Sequence, residues 1–431
     1  MIDIKIVREK PEVIRADLEK RGDSGKLRLL EELIELDLST RQLQVQVEKL
    51  RHRRNIVSEE IARLSRAGED VGEMRREAEA LPSKIRELES VLAKNQARVR
   101  EILMRLPNIL HETVPVGKDD SENLEVRRWG KPKELDFDLK PHGELIEAIG
   151  VGDFVRAAKV SGAGFVYLLG ALALLDQALC RFAIDYLIAK GFVLVEPPLM
   201  MRREAYEGVV DLGDFETMMY RVSDTDLYMI ATSEHPLVAM HMDEIIDEEE
   251  LPIKYVGVST NFRKEIGSKG VDTKGLFRMH QFNKVEQVIL CKPEESWALH
   301  EELIENAESL YQALEIPYRV VNCCTGDIGT VAAKKYDLEA WSPRQKKYAE
   351  VVSCSNCTDY QARRLNIRCG KVGGEKRMVH TLNSTAIATS RALVAILENY
   401  QRPDGSVEIP KVLVPYMGGL ESIKPSGKKR F

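Results

Sequence analysis

Between Phe262 and Glu286 the chain reads FRKEIGSKGVDTKGLFRMHQFNKVE, a stretch dense in side chains that bind small charged molecules. Its ends alternate in character, and Gly267, Gly270 and Gly275 punctuate its middle, so it predicts two strands joined by a ten-residue loop. Side chains repeat every second residue along a strand. Arg263 and Glu265 should therefore share one face of the first strand, and Phe282, Lys284 and Glu286 one face of the second. Such a surface offers a guanidinium for phosphate or carboxylate, a ring for stacking on a base, and carboxylates for exocyclic or α-amino groups. The inventory suits a nucleotide beside an amino acid; an exposed hairpin with solvated charges is the plainer reading of the same pattern.

Three other stretches carry chemistry. LYMIATSEHPL reads as a strand entering a helix capped by Thr232 or Ser233, with Pro236 in its first turn. EVVSCSNCTDYQARRLNIRCG pairs Glu350 with a hydroxyl three residues later, at Ser353, and such oxygen donors can hold Mg²⁺ against nucleotide phosphates. TLNSTAIATSRALVAILENY predicts a cap at Asn383 or Ser384 and a helix with Leu393, Ile396, Leu397 and Tyr400 on one face, followed by a Pro-Asp-Gly turn and a strand from Val407 to Val414. The spacing Cys354-x-x-Cys357, with Cys369 and the Cys323–Cys324 pair elsewhere, raises zinc, but a single such pair is a weak signal and buried thiols are expected instead.

These stretches must be positioned by elements the rest of the chain supplies. Its 431 residues, 44% hydrophobic and 31% charged, suffice for two or three soluble domains. A net charge of −6 leaves nucleic-acid binding to local basic clusters. Seven cysteines and a start, MIDIKIVREK, that does not read as a signal peptide point to a reducing cytoplasm. The longest apolar run, Phe165 to Leu175, is too short for a bilayer and reads as a strand and a buried helix, so no membrane partner is expected.

After an opening segment, Leu29, Leu36, Leu43, Leu50, Val57 and Leu64 recur every seventh residue, with Leu33, Val47 and Ile61 between them and Thr40 and Arg54 as polar exceptions. A breaker at 65–73 follows. The register then returns through Leu81, Leu88, Asn95 and Ile102, alternating with Ala78, Ile85, Leu92, Val99 and Leu106. Two heptad helices joined by a short turn predict an antiparallel coiled-coil arm, with Pro82 near the start of the second helix's regular part or kinking it. Residues 41–66 carry seven basic side chains against three acidic ones, which suits either a solvated face or contact with a phosphate backbone. Residues 107–135 read as a linker, the catalytic pattern begins at 136, and the acidic run at 243–250 reads as a solvated helix end. A helix from Ala171 to Lys190 leads into the strand FVLVEPPLM.

The phrase FRKEIGSKGVDTKGLFRMHQFNKVE closely resembles motif 2 of the seryl-tRNA synthetases, which are class II aminoacyl-tRNA synthetases. Ala171 to Met200 looks like motif 1, the stretch from Asn383 like motif 3, and residues 350–368 are similar to that family's EVSSCSN…QARRxNIR segment. The resemblance covers essentially the whole chain and implies an α+β fold, an antiparallel catalytic sheet with surrounding helices plus an N-terminal helical arm. By it, residues 1–106 form a tRNA-binding domain with its arm over about 27–106, 107–135 a linker, and 136–431 the catalytic domain of a homodimer.

The implied activity joins L-serine to serine tRNA, and to selenocysteine tRNA where present, through a seryl adenylate made from ATP with Mg²⁺. The implied serine contacts are Thr232, Ser233, Glu234, Arg263, Glu286, Asn383 and Thr385. The implied ATP contacts are Arg263, Lys264, Glu265, Met279, Phe282, Glu350, Val351, Val352, Ser353 and Arg391, with Glu350 and Ser353 on the metal and Arg263, Glu350 and Arg391 catalytic. Arg41, Lys49, Arg51, Arg53 and Arg54 would meet tRNA. The resemblance is not to the zinc-bearing methanogen-type branch. Where the family has Asn-Gly-Ser or Asn-Gly-Thr, this chain has Asn383-Ser384-Thr385, which leaves Thr385 as partner for the serine hydroxyl. Two other functions fit parts of the pattern: a paralogue that hands an activated amino acid to a non-tRNA acceptor, and a non-enzymatic RNA-binding relative, the latter expected to have lost charged site residues.

Overall fold

A computed structural model describes residues 1–132, 135–211, 213, 216–265, 275–371 and 373–425. The glycines expected at 267 and 270 of the loop, and the basic tail from 426 onward, lie outside the described residues. The chain divides into two compact units, Met1–Pro107 and Asn108–Phe431.

The first unit is helical. Two short helices, Ile4–Glu9 and Pro11–Arg21, fill the opening segment that the sequence reading left unassigned. Then come α1, Ser24–Ala67, and α2, Gly72–Arg105, packed on each other along most of their length. With 44 residues, α1 is about 66 Å long, more than a count of clean heptads suggests, because helix persists to Ala67 before Gly68 turns left-handed (φ 75°) and ends it. The heptad seam is the buried one: Leu33, Thr40, Val47 and Val57 from α1 meet Leu81, Ile85 and Ile102 from α2, while Arg54 is exposed. Thr40 is tolerated there because its hydroxyl donates to the carbonyl of Leu36 at 2.6 Å. Pro82 lies ten residues inside α2 without ending it. The seam pattern did not mark Asp37 as buried. It is 4% exposed and bonded by both Arg8 and Arg41.

The second unit is built on one eight-stranded sheet. In chain order its strands are β1 (Leu124–Trp129), β2 (Val193–Val195), β3 (Ile253–Phe262), β4 (Gln281–Cys291), β5 (Tyr318–Asn322), β6 (Lys334–Ser342), β7 (Lys347–Asn356) and β8 (His380–Ala388). Across the sheet the order is β1-β5-β6-β7-β8-β4-β3-β2, antiparallel except where β2 meets β3. Helices α3 (Ala171–Ala189), α5 (Ser296–Ala313) and α6 (Thr389–Asn399) pack on one face of the sheet; α4 (Glu234–Ala239) lies against the other. The helix-side core takes Val285 and Ile289 from β4, Leu338 from β6, Val352 from β7 and Leu382 from β8, together with Leu179, Leu310 and Leu393 from the helices. The opposite face of β4 carries Lys284 and Glu286, and then Val288 and Leu290 inside a second apolar cluster with Tyr206, Ile230 and Leu237.

Several expectations are corrected. β3 stops at Phe262, so Arg263 and Glu265 do not share a strand face; the backbone leaves the ladder, and Glu265 has φ 47°. Asn383 and Ser384 cap no helix. They lie inside β8, and the helix begins at Thr389. The strand expected from Val407 to Val414 is only Val407–Glu408, since Pro410 leads into a short 3₁₀ turn at Lys411–Leu413. The acidic run holds a two-residue strand, Ile245–Ile246, and a 3₁₀ turn in place of a helix end; Glu248 and Glu249 pair with Arg377 and Lys371. The expected linker is part of the second unit: its residues 124–129 are β1, and Asn108 donates to the carbonyls of Val331 and Cys357.

Burial works against the charge of Asp37, but Arg8 and Arg41 outweigh it and hold the carboxyl below its ordinary value of 3.8. A lowered folded pKa adds stability that is present above 3.8 and lost as the pH falls through the folded value. Asp37→Asn should therefore lower the unfolding free energy read from urea titration of the helical signal at pH 7 by about 1 kcal/mol, and the gap to the parent should close in acid.

Candidate active site

The face of β4 turned from the helices opens into a cavity of about 540 Å³. Strand parity decides which residues line it. Phe282, Lys284 and Glu286 alternate inward from β4; Asn383 and Thr385 do so from β8, and Ser353 and Ser355 from β7. Residues three apart on a regular strand point to opposite sides, so Glu350 and Ser353 ought to diverge. They do not, because the β6–β7 register slips by one between Leu338 and Glu339, leaving Val351 as the extra residue of a bulge. Glu350 and Ser353 then line the same cavity.

At one end lies a small polar pocket. Glu286 stands between Gly257 on β3 and Thr385 on β8. Its carboxylate is 2.7 Å from the Lys284 ammonium, and both side chains are buried. Glu234 faces the same space from the start of α4, with its own N–H donating to Thr232 Oγ1 at 3.2 Å and its Oε1 accepting from Gln361 Nε2 at 2.9 Å. Gln361 is fixed in turn by the Thr381 hydroxyl at 2.6 Å. What lets α4 come this close is Gly257: a Cβ there would meet Leu237 Cδ1 and Ser233 Oγ, each at 2.7 Å. Asn383 Nδ2 reaches Cys357 Sγ at 3.7 Å and closes the pocket's side.

At the other end are the guanidiniums. Arg263 donates to the carbonyl of Ala231 at 3.3 Å and lies 5.3 Å from the Phe282 ring centre. Arg391, on α6, bonds Glu350 Oε1 at 2.8 Å and lies 5.1 Å from the centre of the Phe277 ring. Lys335, inward on β6, is held between Asp327 and Asp337 at 3.3 and 3.1 Å. Cys323, Asp327 and Asp337 lie within 4.8 Å of one another, and the Lys335 ammonium already serves both carboxylates.

Burial dominates the electrostatics. It raises Glu234 to about 7, with the nearby Glu286 charge adding to the effect, and it raises Glu286 despite Lys284. Burial lowers Lys284 and Arg263, and raises Asp337 to about 6. Glu350 goes the other way: burial opposes its charge, but Arg391 and Lys335 hold the carboxyl below the usual range. Burial pushes the Cys354 and Cys357 thiols up, and the cysteines form no disulfide.

Of the residues singled out from sequence, the cavity is lined by Thr232, Glu234, Arg263, Glu265, Met279, Phe282, Glu286, Glu350, Val351, Ser353, Asn383, Thr385 and Arg391. Three are not brought in. Ser233 is fully buried, with its hydroxyl on the carbonyl of Gly257; Val352 faces the helix-side core; and the Lys264 ammonium lies over the Tyr220 ring. Ser384 also points away, its hydroxyl on the carbonyl of Thr385. Sequence reasoning passed over Gln361, Phe277, Arg278 and Lys335, although Gln361, Phe277 and Arg278 stand in quoted motifs. In the arm, Arg41 pairs with Asp37, Arg51 with Glu89 and Arg53 with Glu77, while Arg54 bonds the Asn55 side chain and Lys49 is exposed.

Comparisons with known proteins agree with this layout. Residues 1–110 match the seryl-tRNA synthetase N-terminal domain, and residues 218–400 match the class II tRNA synthetase core domain shared by the G, H, P, S and T enzymes. A serine–tRNA ligase of Methanoculleus marisnigri is 58% identical over 98% of this chain and 100% of its own. The crystal structure of seryl-tRNA synthetase from Pyrococcus horikoshii complexed with ATP is 51% identical, with a TM-score of 0.95 over 99% of this chain and 100% of that one. A cytoplasmic serine–tRNA ligase of Naegleria fowleri in complex with AMP is 36% identical, with a TM-score of 0.90 over 99% of both chains.

A carboxyl raised from 4.5 to about 7 makes its charged form costly to the fold, and that cost is absent in acid and complete above the folded value. Glu234→Gln, which keeps an acceptor for Gln361, should therefore raise the Tm at pH 8 and leave it unchanged near pH 4. Each pH unit between the two values is worth at most about 1.4 kcal/mol. Thermal denaturation at the two pH values checks the sign.

Proposed function

The chain belongs to the seryl-tRNA synthetase family, and from that premise we propose how its cavity activates L-serine and how its arm engages serine tRNA. The family's ligases join serine to tRNA, and this chain is one of them. The observation that carries the reading is the pocket of Glu234, Glu286 and Thr385 opening into the same cavity as Arg263 and Arg391.

Serine's ammonium sits against Glu286 and Glu234. Burial has raised both carboxyls, so a cation entering beside them recovers their charged forms. Its hydroxyl pairs with Thr385. An amino acid lacking that hydroxyl leaves a buried partner unsatisfied, whereas threonine is refused for lack of room for its methyl group. Arg263 holds the carboxylate and the α-phosphate, its plane steadied by Phe282, on which the adenine also stacks. Glu265 takes the adenine amino group, and the Met279 backbone lies alongside.

Arg391 meets the outer phosphate, with the exposed Arg278 as a further cation at the cavity's edge. Glu350, kept ionised, and the Ser353 hydroxyl on the same face are hard oxygen donors that fit Mg²⁺. Bound there with the triphosphate, the ion would offset phosphate charge. The serine carboxylate attacks the α-phosphorus in line and pyrophosphate leaves; the terminal adenosine of the tRNA then displaces AMP from the seryl carbonyl. No general base is required of the chain, since positioning and charge stabilisation supply the rate.

In the arm, the basic residues of α1 bind the tRNA backbone. Their interhelical ion pairs are exposed and contribute little to stability, so phosphates can replace the glutamates at small cost. The α3 and β2 region, with Leu174, Ile188, Val193 and Leu194 exposed, is the surface through which two copies pair. The site of action is the cytoplasm; among the described residues no helix is long and apolar enough to cross a membrane.

Serine-dependent ATP–pyrophosphate exchange tests the pocket: Glu286→Ala should reduce it at least a hundredfold, and near-normal exchange would remove Glu286 from the ammonium. KM for serine should rise as the pH falls through about 7, where Glu234 takes up its proton. Replacing residues 40–95 with a short turn should leave exchange intact and abolish tRNA charging; charging that survives would separate the arm from tRNA binding.

A further inference from the structure

Outside the cavity one buried polar cluster has no part in the reading above. His142 is 1% exposed. Its Nε2 accepts the backbone N–H of Leu276 at 3.0 Å, so Nδ1 carries the ring proton, and Nδ1 faces Glu398 Oε1 at 3.5 Å. Glu398 is equally buried and is held by the Ser342 hydroxyl at 2.5 Å and Arg344 Nε at 3.1 Å. Burial opposes its charge, yet the polar contacts of His142, Ser342 and Arg344 hold its carboxyl below the ordinary range.

The backbone also passes unusually close. A Cβ on Gly275 would lie 2.2 Å from His142 Nε2, so the chain reaches its bond at Leu276 only because residue 275 is glycine. Two residues past Gly275, the Phe277 ring underlies the Arg391 guanidinium. Arg391 and Glu398 lie seven residues apart on α6, about two turns, and so on one side of it. A chain of contacts thus runs from α6 through Glu398 and His142 to Leu276, and back to α6 through Phe277 and Arg391.

We propose that His142 is a positioning residue for the nucleotide half of the reaction: by accepting the Leu276 N–H it sets Phe277 beneath Arg391 and thereby fixes the guanidinium that meets the outer phosphates. The inference rests on the proposed reading of the cavity and adds to it a residue that touches no substrate. Without the acceptor, the Leu276 N–H is left buried and unsatisfied, the segment shifts, and Phe277 moves with it. The serine pocket, built on β4, β8 and α4, is untouched.

The test uses the full-length protein in ATP–pyrophosphate exchange, with KM measured separately for ATP and serine. His142→Ala should raise KM for ATP on the order of tenfold and leave KM for serine within error. His142→Gln, whose amide oxygen can reach the Nε2 position, should restore ATP affinity. His142→Asn, too short to reach Leu276, should not. Gly275→Ala should likewise raise KM for ATP, and less so in the His142→Ala background, where the clash is gone. If His142→Ala lowers Tm while both KM values stay at the parent's, or if Gln and Asn behave alike, His142 only packs the fold and the proposal fails. Absence of serine-dependent exchange in the parent protein would instead overturn the reading of the cavity, so the two failures are distinguishable.

Discussion

An extended strand shows alternate residues to its two sides, and the second unit depends on that restriction at every step. One face of β4, β7 and β8 must be apolar to seat α3, α5 and α6; the other must be polar to make a site. Each chemical group is therefore bound to a register. Lys284 and Glu286 are inward because Val285 and Ile289 are outward, and Asn383 and Thr385 because Leu382 is in the core. The β7 bulge at Val351 is where the rule is broken to useful effect, since it turns a carboxylate and a hydroxyl of opposite parity onto one wall.

Burying so many ionisable groups has a cost that the arrangement offsets in pairs. Lys284 answers Glu286, Arg391 answers Glu350, and Lys335 answers Asp327 and Asp337. Among the described residues Glu234 makes no ion pair and hydrogen-bonds the neutral amide of Gln361; despite the nearby Lys284 and Arg263 charges, burial raises its carboxyl to about 7. That asymmetry distinguishes the two ends of the cavity. The Arg391 end holds its charges in balance, while the Glu234 end keeps negative charge in reserve for a cation of the right size.

The heptads of α1 and α2 and the alternation in β4 were legible because period alone specifies them. What escaped the sequence lay in close approaches and register slips. No local signal says that β3 stops at Phe262, that Asn383 continues a strand, or that residues 124–129 complete a sheet rather than link two domains. Ser233, Val352 and Lys264 stand next to lining residues in the sequence; strand parity turns Val352 to the core, while Ser233 and Lys264 turn to the Gly257 carbonyl and the Tyr220 ring. Gln361 and Arg278 were visible inside quoted motifs, but their importance depends on partners 127 residues away in one case and on a cavity rim in the other. Asp37 in the arm seam could not be told from a surface acid, because its partner Arg8 comes from a different helix.

The tight fit at Gly257 bears on how this pocket could be remodelled. With Ser233 and Leu237 resting on the bare α-carbon, the floor beneath Glu286 has no slack in either direction: a larger residue collides and none is smaller. Enlarging the chamber for a bulkier amino acid would have to begin at the opposite wall, where Asn383 and Cys357 meet at the longer distance of 3.7 Å and side chains rather than main chain set the boundary. Any natural drift in substrate preference would be channelled through the same two positions.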